Sequence, residues 1–163
     1  MLNIIKNGVV INNDSWTLIE KDVELIDIES LNYIVVPLKL WQQHKEQLAP
    51  LENIGVWLDS DEPAYHLAQD IEQLPLVAIN FPVFSDGRGY SYAETIRRDG
   101  FKGELRAIGD ILKDQLYFYK RVGFNSFALR ADINAEEALT HLTDFAETYQ
   151  VSHSHPTPLF KRR

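Results

Sequence analysis

The stretch IGVWLDSDEPAYHLAQDIEQLPLVAINFP, Ile54–Pro82, decides the fold. It begins with IGVWL and ends with LVAINFP, two short apolar runs bounded by turn residues, which read as buried strands. Between them, Ser60 or Asp61 can cap a helix with Pro63 in its first turn, so EPAYHLAQDIEQL reads as that helix. Strand, helix, strand is a βαβ unit, and a right-handed crossover of this kind lays its two strands parallel.

The same alternation extends in both directions. Upstream, YIVVPL is a strand and KLWQQHKEQLA a helix with Leu40, Trp41, His44 and Leu48 at helical spacing. Downstream, the SDGRGY loop leads to a capping box, Ser91-x-x-Glu94, predicting a helix from about Tyr92 to Asp99 that stops at Gly100. GELRAIGD is the next strand. Asp110 can cap ILKDQLYFYKRV, SFALRAD is a further strand, and Asn134-x-x-Glu137 caps AEEALTHLTDFAETY.

About five βα units are predicted, whereas a closed eight-fold barrel needs about 250 residues. The expected fold class is therefore α/β, with a mostly parallel sheet, either a partial barrel or a Rossmann-like open sheet. At the N-terminus, Asn7-Gly8 between two β-rich runs predicts a hairpin, and SWTLIE a third strand. The expected division is an N-terminal β-hairpin arm (1–30), a βα-repeat domain (31–150) and a mobile, Pro-containing tail (151–163). Uncovered sheet edges predict a homodimer.

With 163 residues, 45% hydrophobic and 25% charged, the chain can bury a core without staples. A net charge of -8 argues against nucleic-acid binding. No apolar run approaches the roughly 20 residues of a membrane span, and MLNIIKNG is no signal peptide, so the expected location is cytoplasmic. The absence of cysteine excludes disulfides and thiol chemistry by this chain. No nucleotide, flavin or metal motif is found, and His153-x-His155 is a poor metal candidate because it sits in the tail without other ligands.

A parallel sheet gathers its strand-to-helix loops at one edge, where α/β proteins build their sites, and here that edge is expected to gather Asp59, Ser60, Asp61, Asn80, Ser85, Asp86, Arg88, Asp110, Arg130 and Asp132. The candidates there are Asp59 and Asp110 as acid or base, and Asp86, Gly87, Arg88, Gly89, Tyr90, Ser91, Arg106 and Arg130 as an anion- or ligand-binding set. Gly87 and Gly89 allow positive φ, and Arg88 beside a helix start suits a phosphate, sulfate or carboxylate. Two readings stay open. Asp110 and Asn134 are explained equally well as helix caps, and Arg106 as half of a structural ion pair with Asp110 or Glu104.

The motifs FPVFSDGRGYSYAETIRR and GFKGELRAIGDILKDQLYFYKRVGFNSFALR, with IIKNGVVINNDSWTLIE and IVVPLKLWQQHKEQL, resemble a bacterial domain-of-unknown-function family encoded beside sulfite reductase genes. Its members are labelled probable oxidoreductases of sulfite reduction. The resemblance implies an accessory role in assimilatory sulfur metabolism, with sulfite reductase as partner and a small anion as ligand. The alternatives are a small α/β enzyme acting on an anionic substrate, or a cofactor-dependent oxidoreductase. Val122 stands where many relatives carry Cys, so a mechanism needing that thiol does not transfer.

Overall fold

Six of the apolar runs pair in the order in which they occur. The structure is a computed structural model and describes residues 1, 3–25, 31–143, 151–153, 156–158 and 161. Strands β1 (Ile4–Lys6), β2 (Val9–Ile11), β3 (Thr17–Leu18), β4 (Ile34–Pro37), β5 (Ile54–Leu58), β6 (Leu76–Phe81), β7 (Glu104–Gly109) and β8 (Ser126–Ala128) form one sheet. Its order is β2-β1-β8-β7-β6-β5-β4-β3. From β3 to β8 every pairing is parallel; β1 joins β2 and β8 antiparallel. The sheet curls into a half-barrel, so the expected α/β class and mostly parallel sheet hold, with the partial-barrel form.

Strand alternation gives the sheet two unlike faces. One carries Val56, Leu58, Val77, Ile79, Phe81, Leu105, Ala107 and Phe127 against the helices α1 (Leu38–Leu48), α2 (Arg88–Arg98) and α3 (Leu116–Arg121), which bury Trp41, Leu48, Ala93, Ile96, Leu116 and Tyr119. Each such fully buried large side chain is worth about 1.5–3 kcal/mol, so this face holds most of the stability. The other face carries Val35, Trp57, Leu76, Ala78 and Ile108, covered by Trp16 from the segment between β2 and β3.

The hairpin at Asn7-Gly8 forms as expected, with both residues at positive φ. SWTLIE supplies the two-residue β3, beside β4. The helix α4 (Ala135–Leu139) starts where expected, with the Asn134 side chain accepting from the Glu137 amide.

Other expectations need correction. EPAYHLAQDIEQL is not an α-helix but two 3-10 turns, Ala64–Leu67 and Ile71–Gln73. Asp70 between them turns inward, accepting from Trp41 Nε1 at 2.8 Å and pairing with Lys45, and this anchor to α1 overrides the helical pattern. The β5–β6 crossover thus lacks an α-helix, and a repeat of five βα units is not seen. Helix α2 starts at Arg88 rather than near Tyr92. The capping box goes unused, because Ser91 already lies inside the helix; the Asp86 carboxylate instead accepts from the first helical amide, Arg88 N–H, at 3.1 Å. The run after Asp110 splits into a 3-10 turn, Lys113–Gln115, and α3, and Asp110 caps neither. The C-terminal part of AEEALTHLTDFAETY and His155 of the tail lie outside the described residues.

Candidate functional site

Loops following β3, β5, β6, β7 and β8 meet at the C-terminal edge of the parallel strands and build a polar rim. At its centre, Asp59 follows β5. Its Oδ1 accepts from the Ser60 amide (2.8 Å) and from Asn80 Nδ2 on the adjacent strand (2.9 Å). Its Oδ2 accepts from Lys21 Nζ at 2.5 Å. Burial pushes the Asp59 carboxyl up, but Lys21, Asn80 and the Ser60 amide together hold it below its ordinary value. Lys21 is raised by the same contact, and its ammonium also lies 5.6 Å from the Trp57 ring centre.

Arg88 stands on the far side of the Ser60 turn. Its Nη2 donates to Ser60 Oγ (3.0 Å) and to Asp86 Oδ2 (2.6 Å), while Nε donates to Asp86 Oδ1 (3.0 Å). This clasp holds Asp86 down at about 2. Tyr92 adds a bond from its hydroxyl to the Ser60 carbonyl. Neither Gly87 nor Gly89 uses positive φ, contrary to the expectation for this loop. Gly89 is there for proximity, since a Cβ on it would fall 2.5 Å from Phe81 Cζ. Tyr90 turns inward, stacked on Tyr119 at 4.8 Å, and Ser91 is exposed on α2.

Asp110 joins the loop to the next pair of strands. Its Oδ2 accepts from the Phe84 amide (3.0 Å) and its Oδ1 from Arg130 Nη1 (3.1 Å). Arg130 also clasps Asp132, at 3.0 and 2.9 Å, and is raised chiefly by it. Gly109, at φ +94, makes this approach possible: a Cβ would meet the Phe81 carbonyl oxygen at 2.4 Å and Asn80 Oδ1 at 2.5 Å.

The structure therefore brings together Asp59, Asp86, Arg88, Asp110 and Arg130. It separates Arg106 from them. Arg106 lies fully buried toward the opposite end of β7, bidentate to Asp14 (2.7 and 2.8 Å) and bonded to Glu104 (2.9 and 2.6 Å) and Ser126. The foreseen partner Glu104 is present, and Asp110 is not a partner. Asp14 was not foreseen, nor was Lys21; Ser60 and Asn80, expected at this edge, join the rim's hydrogen-bond chain. Lys21 had no signal of its own, since the segment after β3 has no periodicity to place it.

Chemically, the rim is a set of cations each already matched by a carboxylate. Asp59 and Asp86 titrate below the ordinary carboxylate range, so both are ionised at neutral pH, unsuited to donate a proton and weak as bases. Lys21, Arg88 and Arg130 are about half exposed. Among the described residues no group of three or more His, Asp or Glu side chains is placed to hold a metal ion, and no helix is long and apolar enough to cross a membrane.

A family model described as "Bacterial protein of unknown function (DUF934)" matches residues 55–160, well over half of the chain. No curated protein and no solved structure matches.

Proposed function

The chain belongs to this bacterial family of unknown function (DUF934), and from that premise we propose that it is an accessory protein of assimilatory sulfite reduction that takes a small oxyanion at the rim. The observation that carries the reading is the character of the rim cations. Each of Lys21, Arg88 and Arg130 is a half-exposed donor already held by a carboxylate, Lys21 and Arg130 by one from another loop and Arg88 by Asp86 of its own. Exposed pairs of this kind contribute little to stability, so an incoming oxyanion can exchange with the carboxylate. Arg88 is the main clamp, because its guanidinium offers parallel donors beside the first turn of α2, whose leading amide is likewise held by Asp86. The place in sulfite reduction rests on the family resemblance of the DGRGYS and GELRAIGD motifs. In this reading the partner is sulfite reductase, the protein is cytoplasmic and it works as a homodimer.

A second reading, a small hydrolytic or lyase-type enzyme with Asp59 or Asp110 as base, is less favoured because Asp59 is held ionised by three donors. A cofactor-dependent oxidoreductase ranks last, for want of a cofactor motif.

The test is thermal melting with sulfite, sulfate and phosphate, on wild type and on Arg88→Ala and Arg130→Ala. Sulfite should stabilise the wild type and lose that effect in Arg88→Ala, while chloride at equal ionic strength does nothing. If no oxyanion stabilises the wild type, the anion site is wrong. If binding persists unchanged in both variants, the site lies elsewhere.

A further inference from the structure

We infer that Asn7-Gly8 is a site of spontaneous covalent modification, an asparagine that converts to isoaspartate within the folded protein. The hairpin places the two residues at an exposed tip, with β1 and β2 paired up to Lys6 and Val9 on either side. The reacting groups are a nitrogen and a carbon four covalent bonds apart, the spacing that closes a five-membered ring. The Gly8 amide nitrogen bonds to the Asn7 side-chain carbonyl carbon, the carbon–nitrogen bond of the carboxamide breaks, and ammonia leaves. The five-membered succinimide so formed is opened by one water molecule at either carbonyl, giving aspartate or isoaspartate.

Three features favour the step here. The nucleophile is unprotected, because the Gly8 N–H makes no backbone hydrogen bond among the described residues. It is unhindered, because glycine has no side chain and the space where a Cβ would stand is open to at least 4 Å. The electrophile is also untethered: no hydrogen bond holds the Asn7 carboxamide among the described residues, whereas those of Asn3, Asn80, Asn125 and Asn134 are all engaged. None of those four is followed by glycine. Water for the opening step is at hand, since the tip borders an open cavity of about 320 Å³ shared with Lys120, Phe124 and Asn125.

The change has a structural consequence. Isoaspartate threads the main chain through the former side chain, adding one backbone atom to a two-residue turn whose length sets the β1–β2 register. The Asn7 amide also donates to the Asn125 carbonyl at 2.8 Å, tying the tip to the loop before β8. A lengthened turn loosens this tie and with it the strand that borders β8.

The experiment is incubation of the native full-length protein in mildly alkaline buffer at body temperature, with the urea-unfolded protein in parallel. Peptide mapping and an isoaspartate-specific assay follow the segment around residue 7. The native protein should gain one mass unit at Asn7, mainly as isoaspartate, within about tenfold of the unfolded rate, while Asn80, Asn125 and Asn134 stay intact. The separated product should melt below the unmodified protein and below Asn7→Asp, which adds the charge without the extra backbone atom. Conversion in urea with none in the native protein would overturn the inference, as would a native product that is aspartate alone.

Discussion

Replacing Arg106 by methionine removes the cation from the most deeply buried ionic cluster described in the protein. Arg106 is fully buried, and its partners Asp14 and Glu104 have side chains 7% and 5% exposed. Methionine fills much of the same volume, so the loss is chiefly electrostatic. Two carboxylates would face each other near Ser126 with their hydration already removed. Truncating one side of such a cluster costs about 3–5 kcal/mol. Lys6, at 2.6 Å from Glu104, and the N-terminal ammonium, at 3.3 Å from Asp14, stay behind and compensate both carboxylates in part, which places the expected loss at the low end, about 3 kcal/mol. In urea, with a slope of about 2 kcal/mol/M, the midpoint should fall by about 1.5 M. The pH dependence gives a sharper check. In the wild type, burial pushes Asp14 and Glu104 up, but Arg106 and its neighbours hold both net below their ordinary values. Their stabilisation is therefore complete above those values, 3.8 and 4.5, and is lost as the pH falls through the lower folded ones. In the variant Arg106 no longer opposes burial, so both carboxyls rise from their wild-type values, and acidification relieves the penalty. The gap between variant and wild type should be widest near neutrality and shrink toward acid. A loss under about 1 kcal/mol, or a gap that widens on acidification, would refute the argument that under-compensated buried charge sets the cost.

Other variants probe the rim and its supports. Asp86→Asn should free Arg88 from its clasp and tighten sulfite binding, measured by calorimetry, and an unchanged affinity in the variant counts against exchange. Gly109→Ala should cost about 3 kcal/mol, from left-handed strain and a backbone clash at the Phe81 carbonyl, seen as a melting temperature about 6–12 °C lower. Arg97 donates to the carbonyls of Gly123, Phe101 and Gly103 and to Asn125 Oδ1. Arg97→Lys should therefore lose nearly as much as Arg97→Ala, about 2–3 kcal/mol, because an ammonium cannot span that fan of acceptors; full rescue by lysine in denaturant melts would show that charge alone matters.

What the sequence conveyed and what it concealed divide along local and distant interactions. Asn7-Gly8, Asn134-x-x-Glu137 and the apolar runs of β4 to β8 act within a few residues, so their reading survives folding. The helical spacing of EPAYHLAQDIEQL does not, because Asp70 is recruited by Trp41 and Lys45 from another element. Asp110 has the right type and place for a helix cap, yet its carboxylate is taken by the Phe84 amide and Arg130. The rim's edge was legible from topology alone; its wiring through Lys21 and Asn80 was not, since pairing across strands leaves no trace in spacing. Arg106 shows both cases at once, with Glu104 two residues away in the chain and Asp14 92 residues away.

The place of β1 between β2 and β8 bears on how the chain reaches its native state. Strands β3 to β8 can add to one another in the order of synthesis, each closing a short loop. The hairpin is made first but cannot dock, because its neighbour β8 is made last. Closing that long loop comes only after the intervening strands have drawn the ends together, and the entropy it forfeits is correspondingly reduced. Until then the growing sheet ends in an unpaired strand, and the aggregation hazard of a nascent chain lasts until the first-made segment returns to cover the last.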